Sequence, residues 1–205
     1  MILAIDTSSA ACSAALLAPD GTVIAAADER IDRGHAERLV GMIAELAGVH
    51  VPTHICVGIG PGSFTGLRVG IAAAQGLSIG WSCGLAGMDS LALTAAAIES
   101  DGEPIAVAIV GGHGELFVRS FDGRTLMPLD EVASLTPPAA ALRIGARRVI
   151  GSGAAALVAA RGHGEAIDAL PSAANALRLP EALRSLDPKP AYARAPDAKP
   201  RAAAA

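Results

Sequence analysis

Short apolar runs separated by polar turns open the chain and predict strands. The runs 2–5, Ala11–Leu17 and 22–27 are joined by a polar turn at 6–9 and a tight turn at 19–21. A helical period follows over His35–Ala47, and Gly48 is a suitable C-cap. The pattern then predicts a buried strand at 55–59, a second helix, a short strand at 85–88 and a helix at 90–98.

The second half of the chain repeats this order. Strands are predicted at 105–110, Glu115–Phe121 and 125–127, and a second Asp-Gly turn at 122–123 corresponds to the one at 20–21. Helical segments at 131–135 and 138–144, a strand at 148–150, and helices at Ala154–Arg161 and 172–186 complete it, with Pro180 kinking or breaking the last helix. Much of the Pro- and Ala-rich stretch 187–205 is expected to be poorly packed.

Two similar α/β halves indicate a duplicated actin-like fold of the ASKHA, ribonuclease H-like class. Each half is predicted to be a mixed sheet flanked by helices, with a cleft between the halves. The expected subdomains are 1–100, which contains the partner-binding helices, and a smaller one at 101–188. Residues 189–205 form a tail.

The helix that follows the loop at 60–63 has an unusual surface. At 100° per residue only Arg68 and Gln75 form a polar strip, and small residues line two other sides. We therefore expect one side to pack on its own sheet and another on a second protein, together with the helix His35–Ala47. The predicted partner-interface residues are His35, Leu39, Met42, Leu67, Gly70, Ile71, Ala74, Gln75 and Ser78.

The composition and net charge limit the classes of partner that the chain can bind. Apolar residues make up 52% of the chain and aromatic residues 2%, so the core is built from Ala, Val, Ile and Leu. The net charge of −4 and the few aromatic rings argue against direct nucleic-acid binding. Three dispersed cysteines are typical of reduced core thiols in a cytoplasmic protein. The uncharged run 69–88 is interpreted as a helix and a strand because glycines interrupt it, and no membrane contact is predicted.

The polar turn after the first strand is the candidate for phosphate binding, because in this architecture that turn faces a nucleotide. The candidate nucleotide contacts are Asp6, Thr7, Ser8, Gly62 and Ser63. The alternative is a hairpin turn stabilised by its own side chains. The counterpart turn at 111–114 has no acid, which argues against phosphoryl transfer.

No other pattern indicates catalysis or metal binding. The loop 60–63 lacks the lysine of a Walker motif, and no nucleophile elbow is present. Pro52 lies between His50 and His54 and disfavours the helical i, i+4 geometry that would bring both rings to one metal ion. The sequence therefore predicts no catalytic residue and no metal ligand.

Three segments resemble the bacterial TsaB (YeaZ) family: MILAIDTSSAACSAALL at the start, GPGSFTGLRVGIAAAQGLSIG at 60–80, and PAYAR at 190–194. The resemblance implies an actin-like fold and a non-catalytic accessory subunit for N6-threonylcarbamoylation of adenosine in tRNAs that read ANN codons. It also implies pairing with the catalytic subunit TsaD and the ATPase TsaE, or with a second copy when TsaD is absent. The resemblance implies that this chain contacts tRNA only indirectly, through the assembled complex. No cofactor is implied for this chain alone, and ATP or ADP at the partner interface stays open.

Two departures qualify the resemblance. The catalytic relative has an H-x-x-x-H metal segment where this chain has Ser90 and Thr94, and hydroxyls do not replace imidazoles as transition-metal ligands. The accessory family's usual D-A-R-x-G-E-V-Y segment corresponds to residues 110–117, where Val110 and Gly112 stand in place of its Asp and Arg, in the Gly111-Gly112 turn. The rival hypothesis is an active ATP-dependent kinase or carbamoyltransferase of the same architecture.

Overall fold

The computed structural model describes residues 1–194, which form two five-stranded mixed sheets. The first sheet has the order β3-β2-β1-β4-β5, with β1–β3 antiparallel and β1, β4 and β5 parallel. Its elements are β1 Ile2–Asp6, β2 Ala11–Leu17, β3 Val23–Arg30, α1 His35–Ala47, β4 His54–Gly60, α2 Phe64–Trp81, β5 Gly84–Asp89 and α3 Ser90–Ala95.

The second sheet repeats the first. Read from the other edge its order is β8-β7-β6-β9-β10, so each strand has a counterpart in the same place. Its elements are β6 Ile105–Gly112, β7 Glu115–Phe121, β8 Ala133–Leu135, α4 Pro137–Arg143, β9 Arg148–Ile150, α5 Ala154–Arg161, β10 Glu165–Ile167, a 3-10 helix Ala173–Arg178 and α6 Glu181–Arg184. The predicted duplicated actin-like fold is confirmed.

Three apolar clusters arrange the two sheets and the helices in five layers. One joins α1 and α2 to the first sheet, and another joins α4 and α5 to the second. The central cluster lies between the sheets and includes α3, the 3-10 helix and α6. Because alternate strand residues face opposite sides, Leu3 and Ile5 pack on the outer helices while Ala4 packs in the centre.

Three predictions in the second half are wrong. Residues 125–127 are not a strand, because Asp122 Oδ1 accepts hydrogen bonds from the N–H groups of Arg124 and Thr125 and curls the chain into a turn. Residues 131–135 are not helical, since Ala133–Leu135 forms the third strand, β8, against β7. The helix predicted at 172–186 is a 3-10 helix and a short α6, although the predicted break at Pro180 is confirmed. Strand β10 was not predicted.

Part of the predicted loose tail is packed. Leu186 exchanges backbone hydrogen bonds with Gly87, and the Ala191 N–H donates to the Ile59 carbonyl. Residues 187–194, which we call the C-terminal strap, are exposed or half-buried and are attached to the first sheet through this bond. Residues 195–205, the rest of that predicted tail, lie outside the described residues.

The uncharged run at 69–88 is divided between α2 and β5, as interpreted from the sequence. Within residues 1–194, no helix is long and apolar enough to cross a bilayer. Cys12, Cys56 and Cys83 are free thiols, and burial raises the pKa of Cys12 to about 11. This agrees with the prediction that they are reduced.

An ion-pair cluster ties α1 to the edge strand β3, and its contribution should depend on pH. Arg38 makes hydrogen bonds to both carboxylate oxygens of Glu29 and also bonds Glu45. These bonds lower the pKa of both carboxyls below the ordinary 4.5. A depressed carboxyl pKa stabilises the fold above 4.5 and stops doing so as pH falls through the folded-state value.

We therefore expect Arg38→Gln to lower the melting temperature at pH 7 and to have a smaller effect as pH falls below about 4. Thermal unfolding followed by circular dichroism between pH 7 and 3 measures this difference. Arg33→Gln is the control, because Arg33 is exposed and belongs to no ion pair found in residues 1–194. A melting-temperature difference for Arg38→Gln that stays constant with pH would contradict the assignment.

Candidate functional site: a cleft and the helix beside it

A cleft of about 600 Å³ lies where the two halves meet. The β1–β2 turn and the loop before α2 line it from the first half, the end of β6 and Phe117 line it from the second half, and the strap also contributes lining residues. The lining residues are Ser8, Ser9, Ala10, Asp32, Gly62, Ser63, Phe64, Val110, Gly111, Gly112, Phe117, Tyr192, Ala193 and Arg194. The volume is that of a small-molecule pocket.

Asp6 does not face this cleft, so its predicted contact with a nucleotide is wrong. Its side chain is inaccessible to solvent, and its two oxygens accept hydrogen bonds from the Ser8 N–H, the Ser8 hydroxyl and the Ser90 hydroxyl. Burial raises the pKa of the Asp6 carboxyl, and these hydrogen bonds oppose the rise. Asp6 therefore has a structural role, holding the β1–β2 turn against the start of α3.

Thr7 and Ser8 attach the same turn to α2. The Thr7 hydroxyl donates to the Gly66 carbonyl at 2.7 Å, and the Ser63 N–H donates to the Ser8 carbonyl at 2.6 Å. Thr7 is buried and does not reach the cleft, which contradicts its predicted nucleotide contact. Ser8, Gly62 and Ser63 do line the cleft, and their contact with a nucleotide stays a prediction.

The two hydroxyls at the positions of the relative's metal ligands are buried and paired inside the chain. Ser90 accepts the Gly60 N–H as well as donating to Asp6, and the Thr94 hydroxyl donates to the Ser90 carbonyl. Within the described residues no group of three or more His, Cys, Asp or Glu side chains could hold a metal ion. The hydroxyls thus serve the packing of α3.

A buried ion pair between the halves was missed by sequence reasoning. The Arg119 guanidinium on β7 donates to Asp89 Oδ2 at 2.9 Å, while Asp89 Oδ1 caps α3 by accepting the Ala92 N–H. Burial raises the pKa of Asp89, and the backbone hydrogen bonds and Arg119 oppose this rise. Asp89 directly follows an apolar strand and precedes a helix, which is the available sequence signal for an N-cap.

Four of the six predicted interface residues on α2 face its own sheet. Leu67 and Ala74 are inaccessible, Ile71 is 5% exposed, and a Cβ on Gly70 would lie 2.5 Å from the Thr7 hydroxyl. On α1, Leu39 and Met42 belong to the apolar cluster that joins α1 and α2 to the first sheet, and His35 is buried at the start of the helix. These seven predicted partner contacts are therefore wrong, because their side chains pack within the protomer. Of the two others, Gln75 is exposed and Ser78 is half-buried.

The opposite side of α2 is exposed along its whole length. Thr65, Arg68, Ala72, Gln75 and Ile79 are all exposed and recur at spacings of three, four, three and four residues. This is the spacing of a seam that packs on another helix at a shallow angle. Ile79 is 81% exposed, and Val40 on the neighbouring α1 is 62% exposed. We call these five α2 residues together with Val40 the docking face.

The strap meets the start of the docking face. The Tyr192 ring stacks on Phe64 with 5.2 Å between the ring centroids, and the Arg68 Nε–H donates to the Tyr192 hydroxyl at 3.0 Å. The chain contains three Phe and one Tyr, and two of these four residues, Phe64 and Tyr192, stack on each other at this position on the surface. The strap therefore lines the cleft and borders the docking face.

Comparisons with known proteins agree with this fold. A family model described as "TsaD: tRNA N6-adenosine threonylcarbamoyltransferase" matches residues 26–135. The solved structure of YeaZ from Pseudomonas aeruginosa superposes with a TM-score of 0.73 at 30% identity, covering 87% of this chain and 89% of that one. The chain belongs to the TsaB (YeaZ) family.

Curated relatives support the same family over a shorter stretch. The "tRNA threonylcarbamoyladenosine biosynthesis protein TsaB" of Escherichia coli is 42% identical over 95 residues, which is 44% of this chain and 40% of that protein. The protein of the same name in Haemophilus influenzae is 44% identical over 85 residues, 38% of this chain and 35% of that protein. The matched segments thus span less than half the length of these TsaB relatives.

Proposed function

We propose that this chain is the non-catalytic subunit that activates a TsaD-type catalytic subunit for N6-threonylcarbamoylation of adenosine in tRNAs that read ANN codons. The names of the TsaB relatives support the pathway. The observation that carries the proposal is the docking face, an exposed helical seam in which Thr65, Ala72 and Ile79 alternate with the polar Arg68 and Gln75. In this role the docking face of α1 and α2 packs on a helix pair of the catalytic subunit.

The family match supports a helix pair as the partner surface. The TsaD family model matches residues 26–135, which include both α1 and α2. A TsaD protein therefore has a segment related to these two helices, and two such pairs facing each other would form a four-helix interface. Burial of about 800 Å² on each partner would suit a specific complex. In the absence of that subunit, a second copy of this chain would take its place.

The non-catalytic role is supported by the polar residues near the cleft. The acid of the first turn, Asp6, is sealed and hydrogen-bonded, and the corresponding second-half turn at 111–114 has no acid. Ser90 and Thr94 occupy the positions of the relative's histidines and are paired internally. No observation favours the rival kinase or carbamoyltransferase function. In this proposal ATP or ADP binds at the partner interface, the ATPase TsaE joins the complex, and tRNA binds through the assembled subunits.

Size-exclusion chromatography with light scattering tests the proposal. We expect the chain to co-elute one-to-one with the TsaD-family subunit of the same genome, and threonylcarbamoylation of tRNA by that subunit with TsaE and ATP to require this chain. The chain alone should modify no tRNA and hydrolyse no ATP. Unchanged modification without the chain, or ATP turnover by the chain alone, would overturn the proposal.

A further inference from the structure

Arg68 is held in one orientation on the docking face by two aromatic rings. Its guanidinium carbon lies 3.8 Å from the centroid of the Phe64 ring, and its Nε–H donates to the Tyr192 hydroxyl. Tyr192 is in turn stacked on Phe64. A surface arginine usually samples many rotamers, and binding then costs the entropy of fixing one. Here the three side chains already fix the plane of the guanidinium.

The outer edge of the guanidinium remains available. Within residues 1–194 neither terminal amino group of Arg68 has a hydrogen-bond partner, and no carboxylate forms an ion pair with it. By contrast, Arg38 and Arg119 direct their terminal amino groups to carboxylates of their own chain. The free edge of an arginine presents parallel N–H donors, which match the two oxygens of a carboxylate.

The surroundings of Arg68 favour a protein carboxylate over RNA phosphate. Arg68 is part of the helical seam, between Thr65 and Ala72, and small or apolar side chains flank it. The whole chain has 16 Lys and Arg against 20 Asp and Glu. A phosphate backbone is usually bound by a continuous basic patch, and a helix partner is bound by a seam with isolated charges at its edge.

We propose that Arg68 binds an Asp or Glu side chain on the docking helix of the partner subunit, and that Phe64 and Tyr192 are positioning residues for it. This inference rests on the proposed function, and it adds the chemistry by which the docking face selects its partner. It also gives the strap a role, because Tyr192 reaches Arg68 only when residues 187–194 are docked.

Titration calorimetry with the TsaD-family subunit of the same genome tests this at several salt concentrations. We expect Arg68→Ala to raise Kd about 10- to 30-fold and Arg68→Glu to raise it more, because like charges would then face each other. The remaining affinity of Arg68→Ala should depend less on salt than that of the wild type. Arg147→Ala, which removes an exposed arginine of the second half, is the control and should leave Kd unchanged.

Tyr192→Phe keeps the stacked ring and removes only the hydroxyl. We expect about a threefold to fivefold rise in Kd, and no further rise when it is combined with Arg68→Ala, since Tyr192 acts through Arg68. A purely structural hydroxyl would instead give the same rise in both backgrounds and would overturn the positioning role.

The outcomes separate this inference from the proposed function. If Ile79→Glu prevents assembly while Arg68→Ala keeps the wild-type Kd and salt dependence, the docking face is right and the carboxylate contact is wrong. If neither change affects assembly, the docking face itself is wrong. If Arg68→Ala weakens filter binding of tRNA to the complex but not assembly of the subunits, Arg68 binds RNA phosphate and the inference is overturned.

Discussion

Ile79→Glu is expected to weaken the complex with the TsaD-family subunit by at least about 100-fold and to leave the protomer folded. Ile79 is 81% exposed near the end of the α2 seam, so the monomer gains little from its side chain. In a packed helical interface the change loses the burial of a large aliphatic side chain, about 2 kcal/mol, and places an unpaired charge there. Analytical size exclusion and titration calorimetry measure the loss.

Leu142→Glu is the matched control, since Leu142 is a 93% exposed aliphatic residue on α4 in the other half. It should leave assembly unchanged. Both variants should melt within about 2 °C of the wild type, because surface changes of this kind seldom exceed ~0.5 kcal/mol. Equal weakening by both variants would point to an effect of charge alone, and normal assembly of Ile79→Glu would exclude the seam as the docking face.

Gly66→Ala is expected to destabilise the protomer by about 3 kcal/mol. A Cβ at this position would lie 2.0 Å from the Thr7 carbonyl oxygen, which is backbone and does not move aside. Helix α2 would have to shift away from the β1–β2 turn, straining the hydrogen bond from the Thr7 hydroxyl to the Gly66 carbonyl. Overpacking costs about 1–3 kcal/mol and a lost hydrogen bond about 1 kcal/mol. For a chain of this size the melting temperature should fall by about 6–12 °C.

Gly76→Ala is the control for this effect. Gly76 lies on the exposed side of the same helix, and nothing approaches within 4 Å of a Cβ placed there. Alanine in an open helical position is about 0.5–1 kcal/mol more favourable than glycine, so Gly76→Ala should raise the melting temperature slightly. Stabilisation by both changes would mean that α2 does not contact the β1–β2 turn as described.

The sequence predicted the strands and helices where short-range signals agree. Asp-Gly turns and periodic apolar runs placed β1, β2, α1 and β7 within a residue or two. The prediction failed between Phe121 and α4, where a strand was expected at 125–127 and a helix at 131–135. There Leu126 adopts a φ of +58°, and residues 133–135 become a strand only because β7 offers an open edge to pair with. That edge depends on contacts between residues distant in the chain, which local propensity does not encode.

The site was less predictable because α2 is rich in Gly and Ala. Such residues give a weak hydrophobic signal, so periodicity indicated two small-residue faces without telling which one the sheet would cover. The choice depends on Thr7 and Val57, which meet Gly70 across the sheet–helix interface. The role of Tyr192 was equally hidden, since its partner Arg68 lies 124 residues away in sequence. Asp6 was correctly found at the β1–β2 turn, but its burial came from packing that no local pattern reveals.

Residues 172–178 return from the second half to the first and connect the two halves. The Ala173 N–H donates to the Ser13 hydroxyl, Ser172 bonds Asp28, and the 3-10 helix packs in the cluster between the sheets. A clamshell motion of the kind that opens and closes around a substrate would have to break these bonds and expose that shared interior. These contacts join the two halves through a shared interior, so separating the halves would cost both the hydrogen bonds and the apolar burial.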